Sequence, residues 1–389
     1  MEHFDVLVVG AGPAGSATAI HLTRAGARVL LADRARFPRD KPCGGGLTGR
    51  ALRHAPCPVD PVVEHVVDRF RIRLRYGPSF SRRHDRPLIL MTQRRRLDLH
   101  LAEQAVAAGA DFRDGSRATE IEIGETHVRA KVGGTTVRAD TLVGADGANG
   151  IVARAAGLGE SIASGVALEG NVPYGAIDRS RVDGTAEIEL GVVPGGYGWM
   201  FPKGDHANLG VGGWGSEGPR LRVHLARLCR AHGLAVEALS DVRGHRLPMR
   251  TVGRAVGSEP RSQSSVSAQR VLLVGDAAGL VDPLSGDGIY EAFVSAELAA
   301  EAILSGDLSA YETRLSAALD HNASASWAAK RALDRSAAAC FWAARSPGVF
   351  GVVTGLLAGD VRHPSEARGL ARPPLRALAR LARIASPVP

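Results

Sequence analysis

The sequence is poor in lysine and cysteine, and each shortage excludes a class of protein. Lysine occurs only four times in 389 residues, so the net charge of +8 comes from arginine spread along the whole chain. No nucleic-acid-binding motif accompanies that charge, and we predict no nucleic-acid partner. The four cysteines form no CxxC pair and no His-rich cluster, which argues against disulfides and against a metal site. This usage indicates a reducing cytoplasm, and the arginine-rich composition is typical of a bacterial protein.

The chain also lacks a long hydrophobic run. Its longest apolar stretch, residues 348–359, is too short to cross a bilayer, and no signal peptide precedes the first apolar strand. Further on, residues 372–384 place three leucines and Ile384 on one side of a helical wheel and three arginines on the other. Such a helix either docks on its own protein, which we favour, or lies on the inner face of a membrane as a peripheral contact.

The first forty residues predict a nucleotide-binding βαβ unit, with a strand, a glycine-rich turn, an amphipathic helix and a second strand. The turn carries a G-x-G-x-x-G motif. Its residues are Gly10, Gly12, Pro13, Ala14 and Gly15. The first glycine permits the turn, the second admits a pyrophosphate at the helix N-terminus, and the third lets the helix pack on the strand. Asp33, followed by Arg34, is placed to accept a hydrogen bond from an adenosine ribose.

A second match to the same motif, residues 210–215, has no helix after it in our prediction. We therefore interpret it as a strand and a turn, and assign nucleotide binding to the first copy alone.

A later segment, "GDAAGLVDPLSGDGIYEA", favours FAD over NAD. It follows a buried strand that ends in Gly275 and Asp276, and its loop contains Gly286 before a helix that begins near Gly288 and Ile289. The aspartate would bind a sugar-like polyol, and the helix N-terminus would face an anion such as reduced flavin. Two nucleotide-binding loops in one chain suit an extended FAD molecule.

Two segments between these loops resemble parts of flavoprotein hydroxylases. The strand, turn and helix of residues 141–158 resemble their Asp-Gly segment, here Asp146 and Gly147. Residues 92–105 predict an amphipathic helix with Arg94 near its start. In that fold the arginine reaches the dinucleotide part of the cofactor.

Two further motifs narrow the resemblance. The segments "KPCGGGL" (41–47) and "YGWMFPKGDHANLGVG" (197–212) resemble the geranylgeranyl reductase family, within the p-hydroxybenzoate hydroxylase-like FAD superfamily. The resemblance implies bound FAD, with Cys43, Gly44 and Gly45 against the flavin ring. It also places Tyr290 in the flavin-binding loop.

The motif "YGWMFP" predicts a strand whose alternate residues Tyr197, Trp199 and Phe201 share one face. This aromatic wall could pack between a sheet and helices or line a hydrocarbon tunnel, and we favour the tunnel. Cys43 either lines the reaction site or is a small buried thiol. The candidate catalytic residues are Cys43, Tyr197, Trp199 and Tyr290.

The predicted fold class is α/β plus an antiparallel sheet: a Rossmann-like FAD-binding domain, an interleaved β-sheet domain for substrate and C-terminal helices. The FAD-binding domain would comprise residues 1–55, 90–160 and 265–310, the substrate domain 56–89 and 161–264, and the helical region 311–389.

The resemblance implies an FAD-dependent reductase that saturates C=C bonds of a polyprenyl chain. Its electron donor would be NADPH, NADH or ferredoxin, because the sequence contains one dinucleotide-binding unit. The main alternative is a flavin monooxygenase of an aromatic or polyketide metabolite. A flavin halogenase ranks last, because its chemistry needs a lysine and residues 42–130 contain none. A non-catalytic FAD-binding protein is the remaining class.

Overall fold

A computed structural model of the chain describes residues 1–158, 163–251, 267–361, 366 and 369–383. Within them the chain forms three β-sheets and ten α-helices, as the predicted fold class requires. The strands are β1 Glu2–Val9, β2 Val29–Ala32, β3 Gly46–Thr48, β4 His65–Val67, β5 Arg69–Leu74, β6 Ser79–Arg83, β7 Ile89–Met91, β8 Asp111–Arg113, β9 Ala118–Ile123, β10 Val128–Val132, β11 Thr135–Gly144, β12 Ala163–Pro173, β13 Thr185–Leu190, β14 Tyr197–Pro202, β15 His206–Trp214, β16 Ser240–Met249, β17 Ser267–Ala268 and β18 Val271–Leu273. The helices are α1 Pro13–Arg24, α2 Gly49–Leu52, α3 Arg94–Ala107, α4 Val152–Ala155, α5 Leu221–Ala231, α6 Ile289–Leu304, α7 Ala310–Arg335, α8 Ala337–Ala344, α9 Pro347–Ala358 and α10 Arg372–Arg383.

The first sheet contains the predicted βαβ unit. Its strand order is β17-β18-β11-β1-β2-β8, and β10 and β9 continue from β11. Strand β1 runs parallel to both β2 and β11, so the carboxyl ends of β1 and β11 meet at one edge. There a Cβ on Gly10, whose φ is +104°, would lie 2.3 Å from the carbonyl oxygen of Ala145. Glycine is required at this position because any side chain would strike the neighbouring strand's backbone.

The second sheet has the order β16-β12-β15-β14-β13-β5-β6. It is antiparallel except that β5 and β13 run parallel. The expected half-exposed pattern is wrong on β13, because Glu187 and Glu189 are buried. Arg71 and Arg73 of β5 pair with these carboxylates, and His232, just after α5, lies 3.4 Å from Glu187. Both faces of this sheet are therefore covered at β13.

Gly210 and Gly212 of the second motif copy lie in β15, as predicted, and Gly215 begins the 3-10 turn after it, but a helix does follow. Helix α5 begins at Leu221 after a short 3-10 turn, so that part of the prediction is wrong. Packing rather than nucleotide binding requires glycine here. A Cβ on Gly210 would lie 2.1 Å from the indole ring of Trp199 on the adjacent strand.

The C-terminal helices cover the cleft between the two large sheets. Helix α10 packs against α7 and α8, which is the favoured of the two predicted arrangements. Its leucines are half-buried, and Arg376 and Arg380 are exposed. Ile384 and the side chain of Arg383 lie outside the described residues. No described helix alone has the length and apolarity to cross a membrane; α8 and α9, bent by 92° at their junction, meet those criteria only as a pair.

The domain limits given above remain a prediction. The first sheet takes its strands from residues 2–32, 111–144 and 267–273. The second sheet takes its strands from residues 69–83 and 163–249. Residues 252–266 of the predicted ranges lie outside the described part of the chain.

Candidate functional site

A central cavity of about 1690 Å³ lies where the carboxyl edge of the first sheet faces the second sheet. Sites for one small molecule usually occupy about 300–1000 Å³, so this cavity has room for a dinucleotide and a second ligand. Most of the predicted site residues line it. They are Gly10, Gly12, Pro13, Ala14, Asp33, Arg34, Cys43, Gly44, Gly45, Arg94, Asp146, Tyr197, Trp199, Phe201, Asp276, Gly286, Gly288 and Ile289.

Two predicted glycines support the cavity from behind. A Cβ on Gly15 would lie 1.8 Å from the carbonyl oxygen of Gly10, so this glycine lets α1 pack on β1. Gly275 has a φ of +57°, and a Cβ there would lie 2.9 Å from that of Ala14. Gly15 therefore has the packing role predicted for it, and neither residue lines the cavity.

Tyr290 does not line the cavity either, which corrects its assignment as a catalytic residue. Ile289 begins α6 and faces the cavity, and the next residue of a helix points about 100° away. The ring of Tyr290 packs instead against the guanidinium of Arg50, 4.6 Å from the ring centroid, and against His54. Its role is to join α6 to α2.

Asp33 holds the glycine turn as well as lining the cavity. Its two carboxylate oxygens accept hydrogen bonds from the amides of Ala11 and Ala35, each at 2.8 Å. The remaining lone pairs face the cavity, where they can accept from a ribose hydroxyl.

Two arginines face the turn from the other side. Arg94 is buried and donates two hydrogen bonds to Asp98, at 2.7 and 2.8 Å, and Arg39 reaches the same carboxylate at 2.9 Å. A Cβ on Gly12 would lie 3.4 Å from Arg39 and 3.6 Å from Arg94. Arg39 and Arg94 therefore place two guanidinium groups directly beside the glycine turn, and guanidinium groups bind phosphate esters with charge-assisted hydrogen bonds.

Polar atoms without partners mark the rest of a dinucleotide site. Asp146 Oδ1, Arg50 Nε and Asp287 Oδ2 are buried with no hydrogen-bond partner among the described residues, and all three side chains line the cavity. A buried polar atom without a partner costs about 1–3 kcal/mol. An extended polar ligand such as FAD would supply these partners, so the residues fit that cofactor.

Asp276 is paired with a lysine that the sequence reasoning missed. The amine of Lys41 donates to Asp276 at 2.8 Å, and His245 lies 3.5 Å from the same oxygen. Burial opposes ionisation of Asp276, but Lys41 and His245 outweigh it and hold the pKa of this carboxyl well below its usual range. Lys41 lies in the same loop as Cys43, so this ion pair ties the loop to the end of the first sheet.

The glycines of that loop make room for protein atoms. Gly45 has a φ of +69°, and a Cβ there would lie 2.0 Å from both Lys203 Nζ and the carbonyl oxygen of Thr92. A Cβ on Gly44 would lie 3.0 Å from the ring of Phe201. The prediction attributed these glycines to the flavin and substrate; the structure adds close packing against Lys203 and the aromatic wall.

Lys203 and Glu169 hold the loop from beneath, and the sequence reasoning missed both. Lys203 is buried and donates to the carbonyl oxygens of Gly44 and Thr92, and Glu169 accepts from the amide of Cys43 at 2.6 Å. Burial lowers the pKa of Lys203 and raises the pKa of Glu169. Lys203 follows the Phe-Pro of the aromatic motif and could have been suspected; no local pattern singles out Glu169.

The aromatic wall forms as predicted on β14. The rings of Tyr197 and Trp199 lie 6.1 Å apart and those of Trp199 and Phe201 6.2 Å apart, all along the cavity. The hydroxyl of Tyr197 donates to the carbonyl oxygen of Ser285, and Trp199 Nε1 donates to Asn208 at 2.8 Å. These polar ends are satisfied on the protein side, so the wall presents apolar ring surface to the cavity.

Residues 42–130 contain no lysine, but lysines from other parts of the chain line the cavity. The absence of lysine from that segment is therefore a weaker argument against a halogenase. Lys41 and Lys330 line the cavity. Lys330, on α7, is buried, donates to the carbonyl oxygen of Gly195 and stacks 4.3 Å from the ring centroid of Trp214. Burial lowers its pKa to about 8, although Asp334 and Asp282 oppose the shift.

The lowered pKa of Lys330 predicts a pH-dependent stability difference. Lys330 has a pKa of 10.5 in the unfolded chain and about 8 in the folded protein. At a pH between these two values the unfolded state binds a proton that the folded state does not. The free energy of unfolding should therefore rise by about 1.4 kcal/mol per pH unit in that window, relative to Lys330→Met. Urea titrations at pH 7.5, 8.5 and 9.5 measure it. Lys131→Met is the control, because the side chain of Lys131 is 43% exposed and pairs with Glu120 at the surface. A difference for Lys330→Met that does not change with pH would contradict the prediction.

Comparisons with known proteins agree with this geometry. The family model described as an FAD binding domain matches residues 3–304. Digeranylgeranylglycerophospholipid reductase 2 of Methanopyrus kandleri is 34% identical over 324 residues, which cover 79% of this chain and 79% of that protein. Menaquinone reductase of Mycolicibacterium smegmatis is 31% identical over 341 residues, 79% of this chain and 78% of its own.

A solved structure gives the same answer. A geranylgeranyl bacteriochlorophyll reductase-like protein of Thermoplasma acidophilum superposes with a TM-score of 0.77 at 25% identity, covering 98% of this chain and 96% of its own. The glycine turn, the two arginines beside it and the buried polar atoms without hydrogen-bond partners among the described residues thus belong to an FAD site, and the chain is a member of the geranylgeranyl reductase family of FAD-dependent oxidoreductases.

Proposed function

We propose that the protein saturates carbon–carbon double bonds in a polyprenyl chain, using electrons that reach FAD from an external NADPH, NADH or ferredoxin. The observation that carries the proposal is that one cavity is lined by polar groups at its nucleotide end and by apolar side chains elsewhere. Beyond Cys43 the polar nucleotide end gives way to apolar side chains. They include Phe70, Ile72, Ile89, Ile188, Leu190, Trp199, Phe201, Leu333 and Phe350. An isolated alkene offers no hydrogen bond, so its recognition requires shape and exclusion of water.

FAD, when bound and reduced, supplies the hydride. The chain's own residues present the alkene: the wall of Tyr197, Trp199 and Phe201 forms one side of the passage, and Gly44 packs its loop against Phe201 at the end of that wall. A methyl group on Gly44 would lie 3.0 Å from the ring of Phe201 and would push the loop and the wall apart. The residues thus orient an apolar chain and keep water away from it.

The proton for the second alkene carbon needs a donor near the loop. The hydroxyl of Tyr197 already donates to Ser285, and burial raises the pKa of Tyr197, so this hydroxyl retains its proton. Tyr290 faces away from the cavity. The thiol of Cys43 lines the cavity beside the loop and is the donor that we propose.

Anaerobic turnover with dithionite as reductant tests the proposed function. Geranylgeranyl diphosphate and menaquinone serve as substrates, and mass spectrometry follows the gain of two hydrogen atoms for each bond saturated. We expect stepwise hydrogenation of at least one of them. In air, oxygen incorporated into an aromatic substrate would instead support the monooxygenase. A bound flavin that resists reduction would indicate a non-catalytic protein.

Cys43→Ala should lower kcat at least tenfold while leaving bound FAD and its absorbance spectrum unchanged. Removing a group that delivers a proton typically costs a factor of 10²–10⁴, and water can replace part of it. Cys340→Ala is the matched control, because that thiol also lines the cavity but lies on α8. A wild-type rate for Cys43→Ala would show that this cysteine only fills space.

A further inference from the structure

Part of the central cavity is lined by helices far along the chain from the nucleotide loops. Helices α7, α9 and α10 all contribute lining residues, α10 packs on α7, and Leu375 of α10 packs against Val352 of α9. Val353 of α9 is 41% exposed and Arg376 and Ala379 of α10 are exposed, yet all three line the cavity. Residues that are both exposed and cavity-lining mark a mouth.

The mouth is apolar on its inner side and cationic on its rim. Leu375 and Leu378 are half-buried and line the cavity, continuing its apolar surface outward. Arg376 stands between them in sequence, is exposed, and makes no hydrogen bond or ion pair with any residue in the described part of the chain. Helix α10 contains four arginines and no acidic residue. Arg372, at its first position, also lines the cavity.

This arrangement matches an amphiphile with an anionic head. We propose that the mouth binds the phosphate or diphosphate ester of a polyprenyl substrate, with Arg376 as the principal contact and the hydrocarbon chain extending inward past Leu375 and Leu378. The inference rests on the proposed function and adds the head group to it. Guanidinium groups bind phosphate esters with two parallel hydrogen bonds, and a partly exposed position leaves the ester free to enter and leave.

Arg376 and Arg380 provide a matched pair of variants. Both are exposed on the same helix, but only Arg376 lines the cavity. The substrates are matched as well: geranylgeranyl diphosphate and geranylgeraniol share the hydrocarbon chain and differ in charge. We expect Arg376→Gln to raise KM for the diphosphate about tenfold with little change in kcat, the loss expected for one charge-assisted contact. It should leave KM for the alcohol unchanged, and Arg380→Gln should change neither.

Calorimetric titration of the oxidised holoenzyme with geranylgeranyl diphosphate measures the head-group contact without turnover. Binding that weakens in Arg376→Gln and not in Arg380→Gln supports the site even if no substrate is reduced, in which case only the proposed function fails. Equal affinity for diphosphate and alcohol would overturn the inference. So would equal losses in the two variants, which indicate diffuse surface charge.

A second arm separates a soluble ester from a lipid head group. The protein is mixed with phosphatidylglycerol vesicles containing or lacking geranylgeranyl diphosphate and then sedimented. We expect the protein to reduce free geranylgeranyl diphosphate without vesicles. We also expect Arg376→Gln to weaken binding of the protein to vesicles that contain geranylgeranyl diphosphate. The protein could instead sediment with vesicles of phosphatidylglycerol alone, with Arg376→Gln and Arg380→Gln weakening that binding equally. This result would assign the arginines to a membrane surface and would overturn the proposed head-group site.

Discussion

Gly45→Ala is expected to lower the free energy of unfolding by about 3 kcal/mol or more and to release FAD from the purified protein. The added methyl group would meet the carbonyl oxygen of Thr92 and the amine of Lys203 at 2.0 Å. A backbone carbonyl cannot move aside, and Thr92 also donates its amide to Gly45. The loop that carries Cys43 must therefore shift as a unit, adding the cost of overpacking to that of a positive φ.

Gly306→Ala isolates the backbone cost. Gly306 has the same φ of +69° as Gly45, but a Cβ there meets nothing within 4 Å. This control should lose only about 1 kcal/mol. Chemical denaturation measures both values, and absorbance of the purified protein reports the bound flavin. If the two variants lose equal stability and Gly45→Ala keeps its flavin, the proposed close packing of the loop is wrong.

Lys203→Met is expected to lower the free energy of unfolding by about 2–4 kcal/mol and to weaken FAD binding. The substitution keeps the apolar stem and removes the desolvation cost that lowers the pKa of Lys203. It also leaves the carbonyl oxygens of Gly44 and Thr92 without their charged donor, and each such hydrogen bond contributes about 1.5–3 kcal/mol. Two lost donors outweigh one recovered desolvation cost.

The same variant should change the pH dependence of stability. Burial raises the pKa of Glu169, and the positive charge of Lys203 lowers it. Removal of Lys203 should therefore raise that pKa further. A carboxyl with a raised pKa stabilises the folded state at low pH and loses that contribution as pH rises through the folded-state pKa. Lys203→Met should therefore lose more stability at pH 8 than at pH 5. Lys131→Met, at a side chain that is 43% exposed, should change stability by less than about 0.5 kcal/mol at both pH values. A similar result for Lys203→Met would contradict its buried role.

Local sequence patterns predicted the nucleotide end of the site. The glycines of the turn, the helix α3 and the alternation of Tyr197, Trp199 and Phe201 were found where they were predicted. The predicted amphipathic pattern of that helix is weaker than expected, because Arg94 and Asp98 are buried on the same face as its leucines. These features depend on backbone periodicity and on turn geometry, both of which act over a few residues. The family assignment and FAD followed from them.

The errors came from contacts between distant parts of the chain. The second glycine-rich copy makes room for Trp199 on a neighbouring strand, and the ring of Tyr290 packs against Arg50 of α2. Glu187 and Glu189 look like exposed positions of a strand, but the arginines of β5 and helix α5 bury them. None of these partners adjoins the residue it affects.

By itself the sequence determined that this protein is an α/β FAD enzyme with an aromatic strand beside its cofactor, because each of those features is encoded within one short segment. The tertiary structure alone decided what supports and completes the site. Lys203 reaches the carbonyl of Gly44 across 159 positions of the chain, and α9 and α10 add the apolar end of the cavity and its arginine rim. Such contacts form when sheets and helices pack, and no local pattern specifies which surfaces will meet.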